Sequence, residues 1–155
     1  MTDPVASFVH DHRELNRLVV AVAAALGRVV RGEGGLESER DEINDALSTI
    51  RDELLHHFAV EEEGLFPSLR SLCPDLAEDL AALEGEHGLV CAAADEVLGA
   101  LQSASADASA IVRAFERFQQ AYSAHAAAEA AALESASARL TDEGRAAIAR
   151  AVQDL

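Results

Sequence analysis

Four long segments of this chain repeat apolar residues at alternating spacings of three and four, the pattern of a helix buried along one side. Each of them breaks that rhythm with a histidine. In the first, over about residues 5–31, Phe8, Leu15, Val19, Val22, Leu26 and Val29 set the phase and His12 falls within it. In the second, about 40–64, Ile43, Leu47, Ile50 and Leu54 lead on to His57 and Glu61. The third, about 75–102, runs Leu76, Leu80, Leu83, His87, Val90, Ala94, Val97 and Leu101. In the fourth, about 107–137, Ile111, Phe115, Phe118 and Tyr122 precede His125 and Glu129. Such helices with short connections predict an all-α, up-down-up-down four-helix bundle.

The expected boundaries follow from local chemistry. The glycines of GEGG, residues 32–35, end the first helix. Pro67 blocks continuation of the second, which leaves SLRSLCPD as a short turn or a one-turn helix. Pro74 suits the first turn of the third, and SASA, residues 103–106, precedes the fourth. A short additional C-terminal helix is expected over about 142–154, capped by Thr141 or Asp142, with Ile148, Val152 and Leu155 as a modest apolar face. An open face there would favour a homodimer over a monomer. Antiparallel packing brings the four polar interruptions together, at one end of the bundle.

A length of 155 residues is one domain's worth, residues 1–155, and scarce aromatics with abundant alanine favour helices over strands. Twelve basic against 28 acidic residues give a formal charge of −16, a field that repels phosphate backbones and anionic lipid, so neither nucleic acid nor membrane is expected as a partner. The segment VVAVAAALGRVV is too short to span a bilayer, and MTDPVASFVHDHRE is no secretion signal. With Cys73 and Cys91 as the only cysteines there is no disulfide framework, which suits a reducing cytoplasm.

The spacing His-x3-Glu occurs twice, as His57 with Glu61 and His125 with Glu129. Residues four apart on a helix face the same way, so each pair reaches a common centre. Burying two carboxylates and four imidazoles without partners is costly, and metal ions supply the partners. Six such ligands exceed the tetrahedral demand of one zinc. They suit a binuclear centre with two histidines on each ion, both carboxylates bridging, and an oxo or hydroxo bridge. Each ion is then one position short of an octahedron, open to a small oxygen or nitrogen species. Mixed nitrogen and oxygen donors with open positions favour iron, and the Irving–Williams order makes zinc a possible replacement. Glu62, Asp11 and Glu86 are candidates for compensating charge around the metals.

These residues resemble the hemerythrin-like, or HHE cation-binding, domains. The resemblance is carried by DHREL with His12, HFAVEEEGLFP with His57 and Glu61, EH with His87, and HAAAE with His125 and Glu129, over roughly residues 8–135. Oxygen-carrying hemerythrins have a further histidine where Cys91 stands and a His-x4-Asp where Ala130 follows His125. This chain is closer to the branch with two His-x3-Glu motifs. That likeness implies peroxide breakdown, nitric oxide handling, or iron or oxygen sensing, and disfavours reversible oxygen carriage.

His10 lies off the phase of His12, and His56 lacks a glutamate four residues on, so both are expected at the surface or rim. Cys91 and Cys73 are expected as buried structural thiols. Tyr122 is expected to fill the core with its hydroxyl hydrogen-bonded, the alternative being a donor to a bound oxygen species. The preferred expectation is a catalase-like protein acting on peroxide. The alternative is reversible binding or sensing of oxygen or nitric oxide without turnover.

Overall fold

A computed structural model describes the backbone of residues 4–103, 105 and 107–155, with side chains over the same residues apart from 6–11. Expectations for Phe8, His10 and Asp11 lie outside the side chains so described. The first helix, α1, covers Pro4–Val30. It ends where Gly32 adopts a left-handed φ of 71°. There Gly32 N–H bonds Val29 O at 3.2 Å and Glu33 N–H bonds Arg28 O at 3.0 Å, closing the last carbonyls in a Schellman arrangement.

The next helix, α2, spans Leu36–Val60. It begins earlier than the periodicity predicts, with Glu37 and Glu39 in the first turn, where the positive end of the helix dipole favours them. The predicted stop before Pro67 is corrected. The chain widens into a π-helical turn, Glu61–Leu65, and continues as α3, Phe66–Leu72. In this turn Phe66 N–H reaches back to Glu61 O, and Ser68 donates to Gly64 O at 2.8 Å. A wider turn takes up the register that the missing N–H and ring of Pro67 would otherwise break.

A 3₁₀ turn, Pro74–Leu76, leads to α4, Ala77–Gln102. Then come α5, Ala108–Ser137, and α6, Asp142–Gln153. Asp107 accepts from Ala110 N–H at 2.8 Å, and Thr141 from Gly144 N–H at 3.1 Å, so each of the last two helices starts on a side-chain cap. Among the described residues there are no strands, and no helix is long and apolar enough to cross a membrane.

The bundle closes as a ring: α1 packs on α2 and α5, and α4 packs on those same two helices. The predicted stripes face inward, with Ile43, Leu47, Ile50, Leu54, Leu80, Val97, Ile111 and Phe118 essentially inaccessible. The polar residues do not sit at an end, as expected, but form a layer between two apolar clusters. One cluster holds Leu15, Leu54, Phe58, Val90 and Tyr122; the other holds Val5, Leu65, Phe66, Leu83, Leu133 and Ile148. Each fully buried aliphatic contributes about 2 kcal/mol, so apolar packing on both sides offsets the cost of the polar layer.

The terminal helix α6 lies against the π turn, α3 and α1. A Cβ at Gly64 would stand 3.1 Å from the Ala151 carbonyl oxygen and 3.0 Å from Leu155 Cδ1. Backbone cannot yield as a side-chain tip can. Gly64→Ala is therefore expected to cost about 1–3 kcal/mol and to lower the melting temperature by several degrees. An unchanged thermal transition would show that α6 is not held on this turn.

Candidate metal centre

Each helix delivers its polar residues by the phase that buries its hydrophobes. His57 ends the inward stripe of α2, and Glu61 follows one turn later as the first residue of the π turn, its N–H bonded to His57 O and Phe58 O. Glu61 and Glu129 are 0% exposed, His125 is 1% and His12, the most open of the six, is 9%. All six predicted site residues come together.

Glu61 stands at the centre of the group. Its Oε1 is 2.8 Å from His57 Nε2 and its Oε2 is 3.0 Å from His87 Nε2. Glu129 Oε2 is 3.1 Å from His12 Nε2 and 3.5 Å from His125 Nε2. The Nε2 atoms of His12 and His57 face one another at 3.0 Å. Two overlapping groups of donors result. His12, His57, Glu61 and Glu129 make one; Glu61, His87 and His125 make the other.

The fit of a metal to this set is visible in atoms that lack partners. Both oxygens of Glu61, both of Glu129, and the Nε2 atoms of His87 and His125 are buried and form no hydrogen bond among the described residues. They nevertheless lie about as close as hydrogen-bonded atoms do. Donors that approach one another without hydrogen-bond geometry are aimed at shared points between them, as ligands are. A buried dual His/Glu cluster able to chelate metal is thus present.

A second ring of contacts orients the imidazoles. Glu62 Oε1 is 2.7 Å from His87 Nδ1, and Glu86 Oε2 is 3.0 Å from His125 Nδ1. A carboxylate on Nδ1–H leaves Nε2 free with its lone pair for a metal. Phe58 stacks on His87 at 3.9 Å between centroids and meets His125 edge-on at 5.3 Å, and Phe66 closes on His87 at 5.8 Å. The three adjacent glutamates therefore do different work. Glu61 is buried in the donor set, Glu62 holds an imidazole, and Glu63 is exposed.

Without metal, burial disfavours imidazolium at His57, but Glu129 and Glu61 outweigh it and push its pKa up to about 10. His125 is likewise raised, burial being overcome by Glu129 and Glu86. Burial opposes ionisation of Glu129, yet His12, His125 and His57 hold its carboxyl far below the usual range. The protein has already arranged charge for a cation.

His56 is exposed, which settles the register in favour of His57. Cys73 is buried, but Cys91 is only half-buried and joins neither donor group. Burial, with help from Asp95, raises the Cys91 thiol pKa. The expected partner for Tyr122 is not found: its hydroxyl is buried without a hydrogen bond among the described residues, while its ring stacks on Phe118 at 5.9 Å. Burial, reinforced by Glu129, raises its pKa. The sequence motifs do not reveal the Glu86–His125 pair, which joins two helices across 39 positions. Neither the curated proteins nor the solved structures hold a match to this chain. A family model described as Hemerythrin HHE cation binding domain matches residues 3–137, leaving α6 outside.

Proposed function

The chain belongs to the hemerythrin HHE cation-binding domain family, and on that premise we propose that it is a non-heme diiron protein that disproportionates hydrogen peroxide. His12, His57, His87 and His125 would supply the nitrogen ligands, and Glu61 and Glu129 the carboxylates. The observation that supports the binuclear part of this reading is Glu61, fully buried and a member of both donor groups. Iron held there supplies a redox couple and positions open to a small oxygen species. Zinc fits the same donors without the redox couple.

The chain's own contribution is to orient, exclude water and discriminate by charge. Glu62 and Glu86 hold the Nδ1–H groups of His87 and His125, which fixes the tautomer each presents inward. Phe58 and Phe66 cover the His87 side and limit leakage of reactive species. A net charge of −16 repels anions and leaves neutral peroxide unaffected. Disproportionation turns two peroxides into oxygen and two waters, so peroxide is both oxidant and reductant and no further electron donor is needed.

The test is to load the protein with ferrous iron under anaerobic conditions, count iron per chain, and follow oxygen evolution on adding peroxide. Turnover well above that of free iron, lost in His57→Ala, is expected. Full iron loading without oxygen evolution would overturn peroxide breakdown and leave reversible binding of oxygen or nitric oxide as the better reading.

A further inference from the structure

The π turn Glu61–Leu65 faces two ways. Inward it supplies Glu61 to both donor groups and Glu62 to His87 Nδ1. Outward it receives α6: the space that a Cβ at Gly64 would take is occupied by the Ala151 carbonyl oxygen and by Leu155 Cδ1. Any rearrangement that turned a side chain into the place of Gly64 would meet the α6 backbone. The buried donor and the seat of the terminal helix are three positions apart in one short turn. α6 also rests on α1, the helix that carries His12, and Val5 of α1 belongs to the same apolar cluster as Ile148 of α6.

Neither face of the turn is held firmly by itself. A π turn has poorer regularity than the α-helix around it. Both Glu61 oxygens are buried without a hydrogen bond among the described residues, so attraction to neighbouring imidazoles is all that holds the carboxylate inward until a cation takes it. On the other face, α6 buries only Ile148 completely among its aliphatic side chains, with Val152 half-buried. Its first turns are tied back to α5, where Arg145 donates to Ser137 O at 2.7 Å, so the part free to lift is the part that sits on Gly64. Ordering the turn from one face leaves less disorder for the other to remove, and the second contact then forms more readily.

We propose that α6 and the metal site are coupled through the π turn: a cation on Glu61 tightens the seat of α6, and a seated α6 raises affinity for the cation. The inference rests on the metal-binding part of the reading above and holds whether or not peroxide is turned over. The helix that the family model leaves outside is thereby a reporter of occupancy. An empty site loosens α6 and uncovers part of the apolar cluster around Ile148. Because coupling is reciprocal, a change confined to α6 must alter metal affinity by the same factor that metal alters α6 docking.

The experiment compares the full chain metal-free and loaded with zinc, by amide hydrogen exchange and by zinc titration against a competing chelator. Amides of residues 148–153 should exchange about tenfold more slowly with zinc bound. Ile148→Ala, at a residue in neither donor group, should weaken zinc binding about tenfold, and Val152→Ala should weaken it by less. Ile111→Ala removes an equally buried aliphatic from the other apolar cluster and should leave zinc affinity unchanged, which separates coupling through α6 from general loosening of the bundle. Should Ile148→Ala fail to fold, Val152→Ala, which removes less buried surface, reads the same coupling. Unaltered exchange in α6 at full zinc, parental zinc affinity in both α6 variants, or an equal loss of affinity in Ile111→Ala would each overturn the proposal. An unsubstituted chain that takes up no zinc would instead overturn the metal-binding reading beneath it.

Discussion

Glu61→Gln is expected to strip metal from both halves of the site while leaving the helices in place. The carboxylate is fully buried, with one oxygen 2.8 Å from His57 Nε2 and the other 3.0 Å from His87 Nε2. Glutamine keeps the volume but has one oxygen and no charge, so it serves one half at most and neutralises neither. Loss of a residue that merely orients a ligand costs 10–100-fold in metal affinity, and loss of a ligand shared by two ions should reach on the order of 1,000-fold. The fold has less to lose. A buried carboxylate is costly to desolvate, and the amide removes that cost together with part of the attraction between Glu61 and protonated His57; the two offset, and at pH 8 and above, where less of that attraction remains, the metal-free variant should melt within a few degrees of the metal-free parent. Glu63→Gln, two residues on and exposed, is the control and should bind iron normally. Metal content by elemental analysis and melting by circular dichroism separate the two effects. Wild-type iron in Glu61→Gln would remove Glu61 from the centre of the site.

The donor cluster is readable in the sequence because burial and the placement of the His and Glu donors obey the same helical phase. His12, His57, His87 and His125 occupy positions where a hydrophobe was due, and the structure buries all four beside Glu61 and Glu129. What the phase could not convey is the effect of tertiary packing on local propensity. Pro67 argues for a helix end; the π turn overrides it, supported from outside by α6 on Gly64. The apolar residues beyond the histidines, such as Leu65, Phe66 and Leu133, enclose the polar layer from its far side, a position along the bundle that no single helix encodes. Glu86 could be suspected as nearby charge, but its partner His125 lies on another helix, so only the assembled bundle defines the pair.

The metal-free protein should lose stability on the alkaline side of neutrality, and the loaded protein should not. Burial lowers the His57 pKa, but Glu129 and Glu61 more than compensate, so the folded value is about 10 against an ordinary 6.5. A group raised in this way stabilises the fold fully below about pH 6.5 and gives up that contribution as pH climbs through 10. The amount is on the order of 3 kcal/mol, and it corresponds to a fall in melting temperature of roughly 5–10 °C. Glu129 has the opposite sign. Its pKa is depressed below the ordinary 4.5, so its contribution holds above that value and is lost as pH falls. Metal-free stability should therefore peak between about 4.5 and 6.5. All 12 basic residues are arginines, so no lysine titrates in the alkaline window; the raised His125 adds to the loss with the same sign, and the raised Cys91 thiol acts on loaded and metal-free protein alike. General charge repulsion also grows with pH but acts on both forms, so the loaded protein is the internal control. On the diiron reading, metal would take the place of the proton on His57, which would remove the alkaline loss and make metal uptake release protons and weaken in acid. Zinc, being redox-inert, is the ion to use for melting curves at pH 6, 8 and 9.5. A metal-free transition that stays level or rises across that range, or a loaded one that falls in parallel, would show that the charge stored around His57 is not reserved for a cation.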